Sequence, residues 1–416
     1  MNSYFPSVNL NGSSIQLASD VAIRGGLFGG GDITQIGGPR QLTVTGNSFV
    51  TAGCNSTINL EKLRVEGDFA INSAVTLTTL EVGDILSLVT GSYSATNTVF
   101  LGIDGPQEIP SSLSYQNVEV TSPGDVEFEY FTSQTISGNL VISGSGILNF
   151  NDTDVTVGGD FTTQDNGVII LASFYDQLTV MGNIVFGGGN TGPGSPLCPV
   201  LGCLADGTIY ASGDFTQLGT NSSESFHAGD FNTVYFDGTG AQTLSFTNTG
   251  SGSGTSHFAN IAFTNSVGVT LGSDIYAHCD LLSFAGPTAI VIGNGNTLTV
   301  GGLGVIDLQL NRVLLVYDGV PDPHSTGIFS RFDNVSFVNY NRGDTQFTII
   351  DPGGVSPYTL NNIIFGTTPT TGFYMDVTDS AADANTLTIQ MANPTPGTPA
   401  TFVLTSGGAV VTWPWP

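Results

Sequence analysis

The chain has 416 residues, with 34 acidic and 7 basic side chains, so its formal net charge is -27. One lysine and six arginines are too few to neutralise a run of phosphates, which argues against nucleic-acid binding and against attraction to anionic lipid. The 26 Phe and 12 Tyr residues, together with many β-branched side chains, exclude a disordered chain.

The choice of polar residues predicts strands and not helices. Only 10% of the residues are charged, whereas exposed helix faces usually carry many Glu, Lys and Arg side chains. Thr, Ser, Asn and Gly take their place, and these residues favour strands or turns. Apolar and polar residues alternate at residues 155–157, 298–300 and 347–349, and no stretch keeps a helical period over three turns. The sequence predicts an all-β protein.

The composition is uniform along the chain, and no charged or Ser/Pro-rich linker separates two cores. This uniformity favours one continuous repeat architecture over several independent domains. Within it we expect an N-terminal capping or docking segment at residues 1–60, β-helix coils at residues 61–330 with a Gly/Pro/Cys loop at residues 187–207, and terminal coils with a C-terminal cap at residues 331–416.

A short signature recurs along the chain: apolar–x–apolar, a brief spacer, Gly, then Asp or Asn, then another apolar residue. Copies at Gly138, Gly159 and Gly182 are 21 and 23 residues apart, a period near that of solenoid repeats. We expect Gly to supply a positive φ and the Asp or Asn to bond its own backbone, so that one strand ends and the next begins. Such corners predict a single-stranded parallel β-helix, that is, a β-solenoid forming an elongated rod. The predicted structural corners are Gly67, Asp68, Gly159, Asp160, Gly213 and Asp214.

A second motif places Asn two residues after an aromatic residue or Leu and directly before Val or Ile. A longer repeat surrounds its first two copies, because Gln107 precedes Asn117 and Gln242 precedes Asn260 in similar Gly-containing segments. We expect the Asn amide to bond Asn or backbone groups of a neighbouring coil, and the alternative is that Asn only opens a turn. The predicted corners of this type are Asn117, Asn260, Asn334 and Asn362.

Residues 234–302 open with Phe-Asp-Gly-Thr-Gly-Ala-Gln-Thr, continue through Phe-Ala-Asn-Ile at residues 258–261, and close with Asn-Thr-Leu-Thr-Val-Gly-Gly at residues 296–302. This stretch resembles the repeats of large secreted bacterial β-helix proteins, which are surface-associated or adhesin-like. Residues 99–161 match the same pattern more weakly, and residues 331–413 resemble the terminal coils of that group. The resemblance implies a right-handed parallel β-helix.

The four cysteines are too few for a disulfide framework. Cys198 and Cys203 lie in one loop and either close a small disulfide or stay free. Cys54 and Cys279 are expected to be buried thiols, and the alternative is that they pair between coils. The residues after Met1 show neither the basic start nor the apolar core of a signal peptide. We expect an extracellular or cell-surface location, with a virion surface as the alternative.

Carboxylates are the only candidates for catalysis in this sequence. Glycoside hydrolysis needs two of them about 5–10 Å apart, which neighbouring coils can supply. Turn chemistry already explains the Asp residues of the Gly-Asp corners, however, and basic residues that would serve a lyase are scarce. We predict no catalytic residue, no enzymatic activity, no cofactor and no metal site, with Ca2+ at Asp/Asn corners as an open alternative. The carboxylate pairs of the competing interpretation, a glycan hydrolase or lyase, are Asp152 with Asp154, Asp230 with Asp237, and Asp318 with Asp322 beside His324.

These observations predict a non-catalytic extracellular structural or adhesive protein, acting as a surface rod or as the subunit of a self-assembling filament. We expect head-to-tail or lateral self-association, because solenoid ends expose unpaired strand edges, and contacts with glycans or cell-surface components. Trp413 and Trp415, the two tryptophans of the chain, are expected at an interface. The alternative function is a virion tail spike or fibre that binds or degrades a polysaccharide. Neither nucleic-acid binding nor membrane insertion is expected.

Overall fold

The computed structural model describes residues 4–277 apart from short gaps. After residue 277 it describes Asn296 and the backbone of the strands whose ranges are given in this subsection. The described part contains only strands, without a helix, and its parallel sheets stack as a β-solenoid. The prediction of an all-β parallel solenoid is therefore confirmed. The gaps are residues 29, 47, 51–56, 104–105, 122–124, 194, 196–201, 230 and 251.

The chain forms two compact units, whose boundaries fall partly within the predicted loop at residues 187–207 and partly at residues 219–223. The expected boundaries at residues 60 and 330 stay predictions. The first unit comprises Met1–Thr191, Ser195–Pro199 and Thr220–Ser222, and the second comprises Gly192–Gly194, Val200–Gly219 and Ser223–Pro416.

Short strands joined by tight corners make up the coils of the first unit. The strands of residues 4–50 pair in the same parallel manner as the later ones. The strands of this unit are β1 (Tyr4–Phe5), β2 (Val8–Asn9), β3 (Ile15–Leu17), β4 (Val21–Ile23), β5 (Leu27–Phe28), β6 (Ile33–Gln35), β7 (Gln41–Val44), β8 (Ser48–Val50), β9 (Thr57–Val65), β10 (Asp68–Ile71), β11 (Ala74–Val82), β12 (Leu86–Leu88), β13 (Ser92–Phe100), β14 (Gln107–Ile109), β15 (Asn117–Val120), β16 (Asp125–Phe128), β17 (Ser133–Ile136), β18 (Leu140–Ile142), β19 (Ile147–Asn149), β20 (Asp154–Val157), β21 (Phe161–Thr163), β22 (Val168–Ile170), β23 (Gln177–Val180) and β24 (Ile184–Phe186).

One parallel ladder of register partners runs through the first unit and fixes the length of each coil. Successive members are 17 to 23 residues apart, the extremes being 65 to 82 and 163 to 186. Every member after the first is buried, so each inward side chain stacks on its counterpart in the adjacent coil. Full burial of one large apolar side chain contributes about 1.5–3 kcal/mol to stability. The members are Phe5, Ile23, Val44, Val65, Val82, Phe100, Val120, Ile142, Thr163 and Phe186.

The second unit begins with the same kind of parallel coil, in which Ala211, Phe236 and Phe263 are register partners. Its strands are β25 (Thr208–Ala211), β26 (Phe215–Gln217), β27 (Thr233–Phe236), β28 (Gln242–Phe246), β29 (Asn260–Phe263), β30 (Val269–Leu271), β31 (Ile275–Ala277), β32 (Leu282–Ser283), β33 (Ile290–Ile292), β34 (Leu298–Val300), β35 (Leu314–Val316), β36 (Ser336–Phe337), β37 (Gln346–Asp351), β38 (Tyr358–Phe365), β39 (Phe373–Asp379), β40 (Thr386–Met391), β41 (Ala400–Thr405) and β42 (Gly408–Thr412).

Antiparallel pairing occurs near the end of the second unit. β38 pairs with β41, β41 with β42, and β39 with β40, all antiparallel. Only residues 406–407 separate β41 from β42, and a two-residue link suits a hairpin but cannot carry a parallel crossover. In the region predicted as terminal coils with a cap, the structure therefore combines a parallel β36–β38 pair with antiparallel strands.

Phenylalanine rings form the core of the second unit, with Phe215 at their centre. The ring centroids of Phe226 and Phe258 lie 5.0 and 5.3 Å from that of Phe215. Those of Phe236 and Phe246 lie 5.9 and 6.0 Å from it. All five rings are buried, and most of the pairs are edge-to-face or tilted, which is the arrangement that the ring quadrupoles favour.

Candidate functional site

The corners of the first unit form a hydrogen-bonded series from coil to coil, which we call the Gly-Asx ladder (Asn117, Asn139, Asp160 and Asn183). Asn117 Oδ1 accepts a hydrogen bond from the backbone N–H of Asn139 at 2.8 Å. Asn139 Oδ1 accepts from the N–H of Asp160 at 2.8 Å, and Asp160 Oδ1 accepts from the N–H of Asn183 at 2.7 Å. The side chains of Asn117, Asn139 and Asp160 therefore each satisfy a backbone donor of the following coil.

A glycine precedes three of the ladder residues, Asn139, Asp160 and Asn183, and is needed there for space and not for an unusual backbone angle. Gly138, Gly159 and Gly182 do not have a positive φ, so the expectation that they supply one is wrong. A Cβ atom on Gly159 would instead collide with Oδ1 of Asn139, and the other two glycines meet the ladder oxygen of the preceding coil in the same way. Only glycine allows the coils to approach so closely at this corner.

Asp68 and Asp214 also bond the following coil. Asp68 Oδ1 accepts from the N–H of Ile85 at 3.3 Å, and Asp214 Oδ1 accepts from the N–H of Thr243 at 2.6 Å. The expectation that the corner Asp residues bond their own backbone is therefore wrong. The cause is the strand spacing of about 4.8 Å, which brings an N–H group of the next coil within reach of a short carboxylate. The glycines directly before these two residues are Gly67 and Gly213.

Asn117 and Asn260 occupy equivalent positions in two repeats of the long motif. Asn117 Nδ2 donates to the carbonyl oxygen of Thr96 at 3.0 Å, and Asn260 Nδ2 donates to the carbonyl oxygen of Asn232 at 3.1 Å. In both repeats the acceptor belongs to the residue just before the register partner in the preceding coil. The Asn of this motif thus makes the same contact between coils in each unit.

Two buried glutamines make a further pair of equivalent contacts. Gln107 Oε1 accepts from the N–H of Gly102 at 2.8 Å within its own loop. Its Nε2 donates to the carbonyl oxygen of Val82 at 3.2 Å and to that of Asp84, both in the preceding coil. The Gln107 side chain therefore joins its own loop to the end of β11 in the preceding coil.

Gln242 repeats this arrangement in the second unit. Its Oε1 accepts from the N–H of Gly238 at 3.1 Å, and its Nε2 donates to the carbonyl oxygens of Ala211 and Gly213 at 2.7 and 2.6 Å. Gln107 is 2% exposed and Gln242 is 1% exposed. We call these two residues the glutamine staples; the sequence shows both as members of the long repeat but does not indicate their contacts.

An exposed aromatic patch lies at a different corner of the first unit. We call it the aromatic platform and define it by Tyr130, Phe131, Phe174 and Tyr175, which are 58, 59, 69 and 65% exposed. The first pair follows β16 and the second follows β22. Because β16, β19 and β22 pair in parallel, the loops after them stack on one side of the unit.

The platform rings contact one another across coils. The ring centroids of Tyr130 and Phe131 are 4.5 Å apart in a T-shaped arrangement, and those of Phe131 and Tyr175 are 5.7 Å apart and tilted. Isolated exposed hydrophobic residues are ordinary, whereas a contiguous exposed patch usually marks an interaction site. The platform is therefore the strongest candidate for a binding surface in the described part of the chain.

Asp152, from the coil between the two aromatic pairs, lies against the platform. Partial loss of hydration, the negative charge of Asp152 and a hydrogen bond to that carboxylate raise the pKa of Tyr130, and the nearby Tyr175 raises it further. The Tyr130 hydroxyl therefore stays protonated at neutral pH. The edge of the platform thus combines aromatic rings with a hydroxyl donor and a carboxylate acceptor.

Backbone strain is concentrated in the loops of the platform. Phe131, Asn151 and Asp152 have φ angles of 54°, 55° and 60°. Positive φ at a residue other than Gly costs of order 1 kcal/mol or more and persists only where surrounding contacts hold it. One such contact is the hydrogen bond from Asn151 Nδ2 to the carbonyl oxygen of Phe128 at 3.2 Å. Strain of this kind is often found at functional sites.

Asp176 holds the base of the platform together. Its Oδ1 accepts from the N–H of Asp152 at 2.8 Å, and its Oδ2 accepts from the N–H groups of Ala172 and Ser173 at 2.8 and 2.9 Å. These bonds join the middle loop to the loop that carries Phe174 and Tyr175. Burial of the carboxyl raises the pKa of Asp176 above 3.8, outweighing the lowering effect of the three backbone donors.

We expect Asp176→Ala to destabilise the protein by about 1–3 kcal/mol, because three backbone N–H groups lose their acceptor. A carboxyl with a raised folded-state pKa contributes stability that is fully present below its unfolded pKa, about 3.8, and is lost as pH rises through the folded pKa. The gap in urea midpoint between the wild type and Asp176→Ala should therefore shrink from acid to neutral pH. Asp154→Ala, at an exposed position, is the matched control. A difference in urea midpoint between the wild type and Asp176→Ala that widens toward neutral pH would contradict a raised pKa of Asp176.

Of the carboxylate pair Asp152 and Asp154 considered for catalysis, Asp152 lies at the edge of the platform, and Asp154 is exposed at the start of β20. Asp237 of another pair accepts a hydrogen bond from the Ser212 hydroxyl at 3.0 Å.

Cys203 is buried and disulfide-bonded to a partner outside the described residues, so its pairing with Cys198 stays a prediction. The backbone of Asn362 lies within β38. The predicted residues that lie outside the described ones are Cys54, Cys198, Asp230, Cys279, Asp318, Asp322, His324, Asn334, Trp413 and Trp415.

Among the described residues, no group of three or more His, Cys, Asp or Glu side chains is arranged to hold a metal ion. Ca2+ at the corners stays an untested alternative. In the same part of the chain, no helix is long and apolar enough to cross a membrane.

Comparisons with family models, curated proteins and solved structures find no match for this chain. The resemblance to repeats of secreted β-helix proteins therefore stays a prediction.

The platform was not predicted from the sequence, although a signal for it exists. The dipeptides Tyr130-Phe131 and Phe174-Tyr175 are 44 residues apart, which is two coil lengths. Two adjacent aromatic residues on a strand would point to opposite faces, whereas in a corner loop both can reach solvent. Aromatic pairs at multiples of the coil length, placed directly after a strand, would have indicated a stacked exposed patch.

Proposed function

We propose that this chain is a non-catalytic structural or adhesive β-solenoid protein that acts outside the cell, as a surface rod, adhesin module or filament subunit. The Gly-Asx ladder is the observation that carries this proposal. Its side chains, and those of Asp68 and Asp214, bond the backbone of neighbouring coils. The carboxylates that recur most regularly in the sequence therefore serve the stacking of coils and not a reaction.

The charge distribution supports an extracellular role. No Lys or Arg occurs between Arg64 and Arg312, so trypsin-like proteases have no cleavage site in that stretch. Lys62 and Arg64 bond Glu81 at 2.6 and 3.3 Å, which places these cations within the fold's own ion pairs. A chain with few protease sites and a Thr/Ser/Asn surface suits an exposed setting.

The pairing of β3 with β6 on one of its sides supports self-assembly. In β3, the N–H of Ile15 donates to Asp32 at 2.8 Å, and the carbonyl of Leu17 accepts from Ile36 at 3.0 Å. In a parallel ladder, alternate residues direct their N–H and C=O groups to opposite sides, so the backbone groups of Gln16 face away from β6. An edge of this kind can pair with a strand of another copy.

Negative-stain microscopy of the purified full chain should show fibres or end-to-end chains. Gln16→Pro should shorten or abolish them, because proline removes an edge N–H without removing an internal hydrogen bond of β3. Gln16→Ala keeps that N–H and is the matched control, expected to assemble like the wild type. Isolated particles alone at high protein concentration would contradict the filament role.

The second candidate function is a virion tail spike or fibre that binds or degrades a polysaccharide. The exposed aromatic platform beside Asp152 favours this alternative. It requires an SDS-resistant oligomer, expected to be a trimer, and the release of oligosaccharides from a host glycan. A monomer in light scattering that releases no oligosaccharide from acidic or neutral glycans would contradict it.

A further inference from the structure

We propose that the aromatic platform is a binding site for a neutral polysaccharide, an inference that rests on the proposed adhesive function. The platform presents four exposed rings, two from each of two loops. Aromatic faces carry a negative potential that attracts the weakly positive C–H groups of a sugar ring, and large rigid aromatic side chains dominate many binding surfaces. The tilted contact between Phe131 and Tyr175 makes the rings one continuous surface.

The polar groups around the rings suit a ligand rich in hydroxyl donors. Asp152 is half-buried beside Tyr130 in the loop between the two aromatic pairs, and Asp154 is exposed at the first position of β20, directly after that loop. A carboxylate accepts unusually strong hydrogen bonds from hydroxyl groups, and a sugar presents several such groups along the edge of its ring. The Tyr130 and Tyr175 hydroxyls can both donate and accept.

The charge of the surroundings decides which class of glycan fits. Between Arg64 and Arg312 the chain contains carboxylates but no Lys or Arg, so an acidic glycan or another polyanion would be repelled. A second copy of this chain would bring the same negative patch to a two-fold interface, where like charges would face one another. A neutral polysaccharide avoids both penalties.

The length of the platform suits a polymer and not a single sugar. Its loops belong to three successive coils, because they follow β16, β19 and β22. At a spacing of about 4.8 Å per coil, the surface is roughly 10 Å long, which accommodates more than one sugar ring. The hydrogen bonds of Asp176 hold the middle and last loops in place before a ligand arrives, which reduces the entropic cost of binding.

Affinity electrophoresis of the full chain in native gels tests this proposal. The gels contain a neutral β-glucan, α-glucan, mannan or galactan, with polygalacturonate as the acidic comparison. We expect retardation by at least one neutral polymer, little change in that retardation in 0.5 M NaCl, and none by polygalacturonate. The double variant Phe131→Ala/Tyr175→Ala should lose affinity at least tenfold. Phe231→Ala removes a ring of similar exposure, 61%, in the second unit, and should bind like the wild type.

Three binding results would each overturn the proposal. They are no retardation by any of the four neutral polymers, equal affinity of the double variant and the wild type, and retardation that 0.5 M NaCl abolishes. A change of oligomeric state in the double variant would assign the platform to a second copy and also overturn it. Unchanged thermal unfolding of the double variant shows that its fold is intact. Microscopy separates the two hypotheses, because fibres without glycan binding contradict only this inference, and glycan binding without fibres contradicts only the filament role.

Discussion

Phe215→Ala should destabilise the second unit by about 3–5 kcal/mol, the range usual for removing a buried phenylalanine from a packed core. The Phe215 ring lies within 6.0 Å, between centroids, of four other buried phenylalanine rings. Its removal leaves a cavity that the rigid neighbouring rings cannot easily fill. Urea denaturation followed by circular dichroism gives the change in unfolding free energy.

The matched control for this substitution is Phe231→Ala in the same unit. Phe231 is mostly exposed, so its truncation should change the unfolding free energy by less than about 1 kcal/mol. Similar losses for the two variants would show that Phe215 does not occupy a core position.

Gln242→Ala should cost about 3 kcal/mol or more. The substitution leaves the carbonyl oxygen of Gly213 and the N–H of Gly238 without this partner, whereas the carbonyl oxygen of Ala211 keeps the N–H of Asp237 at 3.2 Å. Asn265 Nδ2, which donates to Gln242 Oε1 at 2.7 Å, loses an acceptor as well. Each buried polar group left unsatisfied costs about 1–3 kcal/mol, although water entering the gap can recover part of it.

Gln107→Ala tests whether the two glutamine staples contribute equally to stability. It should lower stability by an amount similar to that of Gln242→Ala, because both side chains join their loop to two carbonyls of the preceding coil. The exposed Gln116→Ala is the control and should have little effect. If Gln107→Ala lowered stability no more than Gln116→Ala does, the hydrogen bonds of Gln107 would not stabilise the contact between coils.

The coil architecture could be predicted from the sequence, because the relevant signals are local and repeated. Alternating residues such as Val155 and Val157 indicate a strand with one buried face, and the spacing from Gly138 to Gly159 indicates the coil length. The antiparallel strands after β38 were not predicted. Their pairing depends on which strands meet after folding, and only the short link between β41 and β42 indicates it locally.

The roles of individual corner residues were harder to predict. Gly-Asp suggests a turn with positive φ, yet Gly159 is required because Asn139 of the preceding coil occupies the place of a Cβ atom. That constraint comes from a residue 20 positions earlier, so inspection of the dipeptide alone cannot reveal it. The platform was missed for a similar reason, because its surface forms only when loops two coils apart stack together.

Coil length varies from 17 to 23 residues in the first unit, yet the register partners remain buried and aligned. Changes in length are therefore absorbed by the corners, while the strands keep their pairing. The platform lies at one of these corners, where residues can be inserted, deleted or exchanged with little effect on the buried ladder. Binding preference can accordingly diverge between related chains faster than the fold does, one loop at a time.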